Sequence, residues 1–334
     1  MKKIKKLPFI LSILSLFTIF SPVNADIKVV ASIKPIHSLA SYLMDGVGKP
    51  DLIVDGYASP HGFAMKPSHA KMLQNADLIF WVGEDLENFL EKPLKSIAKK
   101  AEKIELMETK GLKKLKFRER NIFKEHGHNE HKEHGHKEDK HDDHKHDEHK
   151  EHGHKEDKHD DHNEHAHGEH DPHIWLDPIN AKAILSEMAV HLIEKDPNNA
   201  STYKANLKKA DKALDNLTKK VKSELKGDFK SIVFHDAYQY FEKRFDVNVL
   251  GAFTVNTDVL PGAEQLAEIR EIIEHEKVTC VFSEPQFNPD IIKVVAKDTN
   301  IKTGVIDPLG ATLDPGKDLY FDLIRNMYAS FKVC

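Results

Sequence analysis

Histidine is the residue type whose number and placement point to chemistry in this chain, because imidazole is the commonest side-chain ligand for metal ions in proteins. The 334 residues include 23 histidines, and 16 of these lie within 124–170. The same segment carries 16 acidic residues against 8 lysines, although the whole chain has a formal net charge of only −5. The chain therefore joins a slightly basic globular protein to an acidic, histidine-rich insert.

The insert at about 124–170 has almost no apolar residues, so burial cannot offset the entropy of ordering it, and we predict that it is disordered. The sequence EHGHKEDKHDDH occurs at 133–144 and again at 151–162. We interpret the insert as an auxiliary metal loop with many weak sites, and the alternative is a solvated spacer. Its histidines are His126, His128, His131, His134, His136, His141, His144, His146, His149, His152, His154, His159, His162, His165, His167 and His170.

Four residues outside the insert's repeats occupy positions where a ligand could bind. His61 follows one strand-like apolar run, His235 ends another and Asp307 follows a third, while His173 lies in the stiff loop DPHIWLDP. Open α/β sheets bind ligands at the carboxyl ends of their parallel strands. These four residues are therefore the candidate metal ligands. The remaining histidines lie on predicted helices and are interpreted as structural or solvated: His37, His69, His191 and His275.

Strand-like apolar runs alternate with helical stretches on both sides of the insert, which predicts two α/β lobes, each with a mainly parallel sheet flanked by helices. Apolar residues spaced three or four apart from 203 to 225 predict one long helix. It lies after the insert and before the strand-like runs of the second lobe. Two such lobes suggest a binding cleft. The predicted boundaries are a signal peptide at 1–25, an N-terminal lobe at 26–178 with the insert, a linking helical region at 179–199 and a C-terminal lobe at 200–334.

The N-terminus predicts export. Four lysines within the first six residues precede the apolar run Leu7–Phe20, and Val23-Asn24-Ala25 follows. This pattern is typical of a secretory signal cleaved near Ala25, and an uncleaved membrane anchor is the alternative. In an oxidising compartment we expect Cys280 and Cys334 to form a disulfide rather than remain free thiols. The net charge gives no reason to expect a nucleic-acid partner.

These motifs resemble the metal-binding receptor proteins of bacterial ABC importers for zinc and manganese, the cluster A-I or cluster 9 group, and most closely the zinc branch. The His-rich acidic insert before DPHIW and the cysteine pair also fit that branch. The matching segments follow the family order and span the mature chain: ASIKPIHSLA (31–40), HGFAMKPS (61–68), NADLIFWVGEDLE (75–87), DPHIWLDP (171–178), VFHDAYQYFE (233–242), FTVNTDVLPGAEQL (253–266), CVFSEPQF (280–287) and DPLG (307–310).

The resemblance implies two α/β lobes joined by one long helix, with the metal buried in the cleft between them. It places the family's ligand histidines on His61, His173 and His235, and its aspartate on Asp307. Asp307 or water would complete the shell, because Pro60 stands where some zinc receptors have a glutamate able to reach the metal. Manganese receptors tend to have a carboxylate in place of His235, so the histidine favours zinc.

The implied function is capture of Zn²⁺ in the periplasm, as a transported ligand, and its delivery to an ABC permease in the inner membrane. We expect a monomer that is not an enzyme and has no catalytic residues, with Asp236 and Glu284 as hydrogen-bond partners of the ligand histidines. Three alternatives remain. One is a manganese or iron receptor of the same family, and another is a zinc enzyme with three histidines and a water, against which no H-E-x-x-H motif occurs. The third is a surface adhesin or metal buffer that works without a transporter.

Overall fold

The computed structural model describes residues 27–118, 121–122, 168–227, 229–257, 259, 261–297 and 299–334. The predicted signal peptide and nearly all of the predicted insert lie outside these residues. Within the described part of the chain, no helix is both long and apolar enough to cross a membrane.

The N-terminal lobe contains a sheet of four parallel strands in the order β2-β1-β3-β4. The strand sequences VVASI and LIFW are buried at every position, as expected for a parallel sheet that is covered on both faces. The elements are β1 (Val29–Ile33), α1 (Lys34–Leu43), β2 (Asp51–Val54), α2 (Pro67–Asn75), β3 (Leu78–Trp81), α3 (Asn88–Ser96) and β4 (Glu102–Glu105).

The C-terminal lobe repeats this arrangement, with four parallel strands in the order β6-β5-β7-β8. In each lobe the strand that comes first in the sequence is a central strand of the sheet. The two strands that pair with it come later in the chain. The elements are β5 (Lys230–His235), α6 (Gln239–Phe245), β6 (Asn248–Thr254), α7 (Ala263–His275), β7 (Cys280–Ser283), α8 (Asp290–Ala296), β8 (Lys302–Val305) and α9 (Leu319–Val333).

Two helices, α4 (Pro178–Lys195) and α5 (Ala200–Glu224), lie between the two sheets in the chain. Pro178 is the first residue of α4, and Asp177 caps the helix by accepting a hydrogen bond from the backbone amide of Ile179. The 25-residue helix α5 buries most of its predicted apolar stripe against α1, α4 and α9. The predicted α/β fold with two lobes and a long joining helix is confirmed.

Direct contacts hold the lobes together around the cleft. Lys34, at the start of α1, donates hydrogen bonds to the backbone carbonyls of Ala311 and Leu313 at 3.0 and 2.9 Å. Trp175 Nε1 donates to the carbonyl of Pro308 at 2.8 Å. These bonds fix the loop after β8 against the N-terminal lobe, and this loop forms one wall of the cleft.

The predicted disulfide is present. Cys280 is the first residue of β7 and Cys334 is the last residue of the chain, and the two are bonded with their Cα atoms 5.5 Å apart. The bond therefore attaches the end of α9 to the C-terminal sheet, beside the aromatic contact between Phe331 and Phe282.

Candidate metal centre

His173 lies in the loop that enters α4, where its ring is oriented by a carboxylate. Its Nδ1 atom is 2.7 Å from Asp171 Oδ1, and the same oxygen accepts a hydrogen bond from the backbone amide of His173 at 2.9 Å. Gln239 Nε2 donates to the other carboxylate oxygen at 3.1 Å. Because Nδ1 donates to Asp171, the Nε2 atom is the nitrogen available to a metal ion.

His235 is the last residue of β5 and has the same kind of support. Its Nδ1 atom is 2.7 Å from Glu284 Oε1, which also accepts a hydrogen bond from its backbone amide at 3.2 Å. Glu284 follows β7, the strand that pairs with β5, and only 2% of it is exposed. The carboxyl ends of two adjacent parallel strands therefore supply the imidazole and the carboxylate that orients it.

His61 comes from the loop between β2 and α2. The chain turns directly after β2 at Gly56, whose φ of +68° suits glycine. The ring centroid of His61 lies 5.5 Å from that of His173 and 5.7 Å from that of His235. The three histidines thus approach one another from both lobes and from the loop before α4.

The distances between the three histidines fit a tetrahedral ion. One ligand nitrogen from each lies within 4.8 Å of the other two. The Nε2 atoms of His173 and His235 are 3.4 Å apart. Two nitrogens bound to one zinc ion at about 2.0–2.1 Å in tetrahedral geometry are separated by about 3.3–3.4 Å. This pair is therefore already spaced as a zinc ion would hold it.

Burial gives the two enclosed histidines different proton affinities. The pKa of His173 lies well below 6.5, because burial penalises its charged form and His235 adds a further unfavourable interaction. Burial also opposes charge on His235, but Glu284 and more distant carboxylates outweigh it and raise the pKa of His235. His173 is therefore neutral near pH 7, whereas a metal ion must compete with a more tightly held proton at His235.

The structure does not bring Asp307 into the group of three histidines. Its Oδ1 atom accepts hydrogen bonds from the backbone amides of Leu309 and Gly310 at 3.1 and 3.0 Å, and from Gln286 Nε2 at 2.9 Å. Its Oδ2 atom accepts one from the backbone amide of Ala311 at 2.6 Å. These bonds show Asp307 shaping the loop after β8, and ligation by Asp307 stays a prediction that requires this loop to rearrange.

A buried ionic network lies directly beside the histidines. Arg118 Nη1 is 2.9 Å from Asp236 Oδ1, and Arg118 Nη2 is 2.7 Å from Glu242 Oε2. Burial raises the pKa of Asp171, Asp236 and Glu242 to about 7 in each case, and the guanidinium of Arg118 opposes this rise. Asp236 and Glu284 were both predicted to be hydrogen-bond partners of the ligand histidines. Glu284 contacts Nδ1 of His235, whereas Asp236 pairs with Arg118 instead.

Two supporting residues were missed by sequence reasoning. The spacing D-x-H at 171–173 was a usable signal for Asp171, since an aspartate can accept a hydrogen bond from a backbone amide two residues later. Arg118 carried no such signal, because it lies 118 positions from Asp236 and its side chain meets that partner only in the folded protein.

The histidines border a small cavity of about 10 Å³ and a wide one of about 680 Å³. The segment before the insert meets the insert's C-terminal end beside the wide cavity, where the amide of Asp171 donates to the carbonyl of Leu115 and the amide of Gly168 donates to Asp85. Six acidic residues line the wide cavity: Glu84, Asp85, Glu105, Glu108, Glu169 and Asp236.

The four remaining histidines outside the insert are not part of this group of three. His37 Nε2 is 3.0 Å from the carbonyl of Pro50, and His69 Nδ1 accepts a hydrogen bond from the amide of Lys66 at the start of α2. His275 is exposed at the end of α7. These contacts agree with a structural or solvated role, whereas His191 on α4 lies within a group of carboxylates.

Comparison with known proteins identifies relatives over nearly the whole described chain. Residues 29–334 match the family described as zinc-uptake complex component A, periplasmic (ZnuA). The chain is 50% identical over 308 residues to the high-affinity zinc uptake system protein ZnuA of Brucella abortus, covering 92% of this chain and 91% of that protein. It is 37% identical over 340 residues to the protein of that name from Haemophilus influenzae, covering 100% and 99%.

Solved structures share the fold. A crystal structure of ZnuA superposes with a TM-score of 0.69 at 20% identity, covering 92% of this chain and all of that chain. A zinc-bound deletion mutant of ZnuA superposes with a TM-score of 0.67 at 20% identity, covering 92% and 97%. At these identities the likeness concerns the architecture of the two lobes.

Proposed function

This chain belongs to the zinc-uptake complex component A family, and from that premise we propose that it captures Zn²⁺ in the periplasm and delivers it to an ABC permease of the inner membrane. The related proteins of Brucella abortus and Haemophilus influenzae are both named as components of high-affinity zinc uptake. An N-terminal secretory signal, cleaved near Ala25, would bring this chain to the same compartment.

The separation of 3.4 Å between the Nε2 atoms of His173 and His235 carries the proposal. With His61 as the third ligand, the site supplies three imidazole nitrogens, and Asp171 and Glu284 hold two of the rings in place. Imidazole suits zinc, whereas carboxylate oxygen suits manganese. Water is our preferred fourth ligand, because Asp307 is already occupied by backbone amides.

The acidic cavity beside the histidines gives the insert a route to the site. The C-terminal end of the insert lines this cavity through Glu169 and His170, as does Phe117 from the segment before the insert. We propose that the insert binds zinc loosely and raises its local concentration beside the cleft, since a tethered ligand reaches a nearby site without diffusing from bulk solvent. The negative lining would attract the released cation toward the three histidines.

Metal selectivity tests the proposal against the manganese or iron receptor. The protein without residues 124–167 lacks 15 of the 16 insert histidines, so its cleft can be titrated with only His170 of the insert present. We expect zinc to bind this protein far more tightly than Mn²⁺ or Fe²⁺ in a competition titration. Equal or tighter binding of Mn²⁺ would reject zinc as the cargo.

Growth tests the proposed role in uptake. Cells that lack this protein should need added zinc when a chelator is present, and the intact gene should restore growth. The His173→Ala gene should not restore growth, whereas the His275→Ala gene should, because His275 is exposed and does not belong to the group of three histidines. Restored growth with His173→Ala would reject the proposed role of the cleft. A zinc enzyme would instead show turnover that depends on His235.

A further inference from the structure

A second group of metal-ligating side chains lies in the N-terminal lobe. Glu102 is the first residue of β4, and His191 and Glu194 lie on α4. One ligand atom from each of these three residues lies within 4.8 Å of the other two. Glu105, at the other end of β4, lines the cleft cavity, so the second group is at the opposite end of the sheet from the three cleft histidines.

His191 is held between two carboxylates. Its Nδ1 atom is buried and lies 2.7 Å from Glu102 Oε1, but the two atoms are not aligned as a hydrogen bond. Its Nε2 atom lies 3.3 Å from Oε1 of Glu187, one helical turn earlier on α4. Metal-binding histidines usually bind through one ring nitrogen while the other donates to a carboxylate. Here Nδ1 is placed to bind, and Glu187 is placed to accept from Nε2.

The charges of the group favour a cation. Glu102, Glu187 and Glu194 bring three carboxylates together around His191, and Lys195 Nζ contacts Glu102 Oε2 at 3.0 Å. Lys195 thus contacts one of the three carboxylates, and like charges that lie close together repel one another. A divalent ion bound among them would remove this repulsion.

We propose that Glu102, His191 and Glu194 bind a divalent transition-metal ion, with zinc as the ion to test first, and that Glu187 positions the ring of His191. One imidazole nitrogen and two carboxylate oxygens form a donor set that zinc accepts, and water would complete a tetrahedral shell. The side chains of His191 and Glu102 are 17% and 32% exposed, so this site is open to solvent and binds more weakly than the cleft.

An ion at this site would connect α4 to the edge of the sheet. Ligand binding to the folded state alone stabilises that state. Occupancy should therefore raise the thermal stability of the N-terminal lobe, and it would do so independently of zinc uptake through the cleft.

Calorimetric titration with zinc alone tests the proposal in protein without residues 124–167, where the insert cannot contribute. We expect one tight site and one weaker site per chain. His191→Ala should remove the weaker site and leave the tight one. Lys195→Met should tighten the weaker site severalfold, because the competing ammonium has gone, and damage to the fold cannot produce such a gain.

His275→Ala is the matched control, because His275 is also helical and lies 3.9 Å from one carboxylate, that of Glu271. This variant should keep both sites. The weaker site should also persist when His173→Ala disables the cleft, so failure of the cleft assignment would be visible separately. Two results would overturn the proposal: absence of a weaker site, or a weaker site that His191→Ala leaves unchanged.

Discussion

Arg118 Nη1 lies 2.9 Å from Asp236 Oδ1, which joins the segment entering the insert to the residue that follows His235. The same segment continues across the C-terminal lobe, where the carbonyl of Asn121 accepts a hydrogen bond from the amide of Ala252 at 2.8 Å. The segment before the insert is therefore attached to the C-terminal lobe, and Arg118 is its charged contact beside the metal centre.

Replacing Arg118 should destabilise the zinc-free protein. Arg118→Met leaves Asp236 and Glu242 buried without their cation, and loss of one partner from a buried ion pair typically costs about 3–5 kcal/mol. Arg118→Lys keeps the charge but loses the two-pronged contact with Glu242, so it should recover only part of the loss. Urea unfolding measures the change.

Arg325→Met is the control for Arg118. Arg325 pairs with Asp322 on the surface, where both side chains are about half exposed, so its replacement should change stability little. A variant Arg118→Met as stable as Arg325→Met would show that the buried network does not depend on Arg118.

Glu284→Gln should weaken zinc binding while leaving the fold intact. Glutamine can still accept from Nδ1 of His235, but it lacks the charge that raises the pKa of that ring. Loss of such a supporting carboxylate typically costs about 10–100-fold in metal affinity. The measurement is a competition titration at pH 7, with Glu271→Gln on the exposed face of α7 as the control. Equal affinities for the two variants would exclude a supporting role for Glu284.

Deleting residues 124–167 should reduce the number of zinc ions bound at saturation without removing the tight cleft site. The deletion removes 15 of the 16 insert histidines and keeps His170 at the rim of the cavity. A chain in which these histidines become glutamine, with the acidic residues kept, separates imidazole binding from charge. Unchanged stoichiometry after the deletion would leave the insert as a spacer.

Glu87 makes stability depend on pH. Burial raises its pKa from 4.5 to about 7, although backbone amides of Val82 and Gly83 donate to its Oε2 atom. Between these pH values the folded state holds a proton that the unfolded chain has released. The contribution of Glu87 to the free energy of unfolding therefore falls as pH rises, and the loss is complete above pH 7. This loss amounts to about 3 kcal/mol.

Glu87→Gln removes this ionisation and should therefore stabilise the protein at pH 8 relative to the parent, with little difference at pH 4.5. Urea unfolding across this range provides the measurement. Glu91→Gln is the control, because Glu91 lies in α3, the helix that Glu87 precedes, and its partly exposed carboxylate pairs with Lys95; this variant should show no such gain. A stability difference for Glu87→Gln that does not change with pH would contradict the raised pKa.

The fold was largely predictable because most of its parallel strands are short apolar runs that end at turns or loops. The strand β4 was missed, since its sequence EKIE has one buried residue and sits at a sheet edge, where charged side chains can reach solvent. The short helix α6 was also missed, because its seven residues directly follow the loop after His235 and are too few to show a clear apolar period.

The metal centre was predictable only in part. His61, His173 and His235 follow recognisable strand and loop patterns, and the structure brings all three together. Asp307 shares the pattern of a strand-end residue, but its oxygens are taken up by backbone amides of its own loop, which a sequence cannot show. Arg118 lies outside every motif, since its role depends on partners from the other lobe.

The most direct test of the central claim is the zinc affinity of His173→Ala in protein lacking residues 124–167. A competition titration at neutral pH should show affinity reduced by orders of magnitude relative to the parent, because the site loses the ligand that faces His235 at 3.4 Å. The His275→Ala control should bind as the parent does. Unchanged tight binding by His173→Ala would contradict the assignment of these histidines as the zinc site.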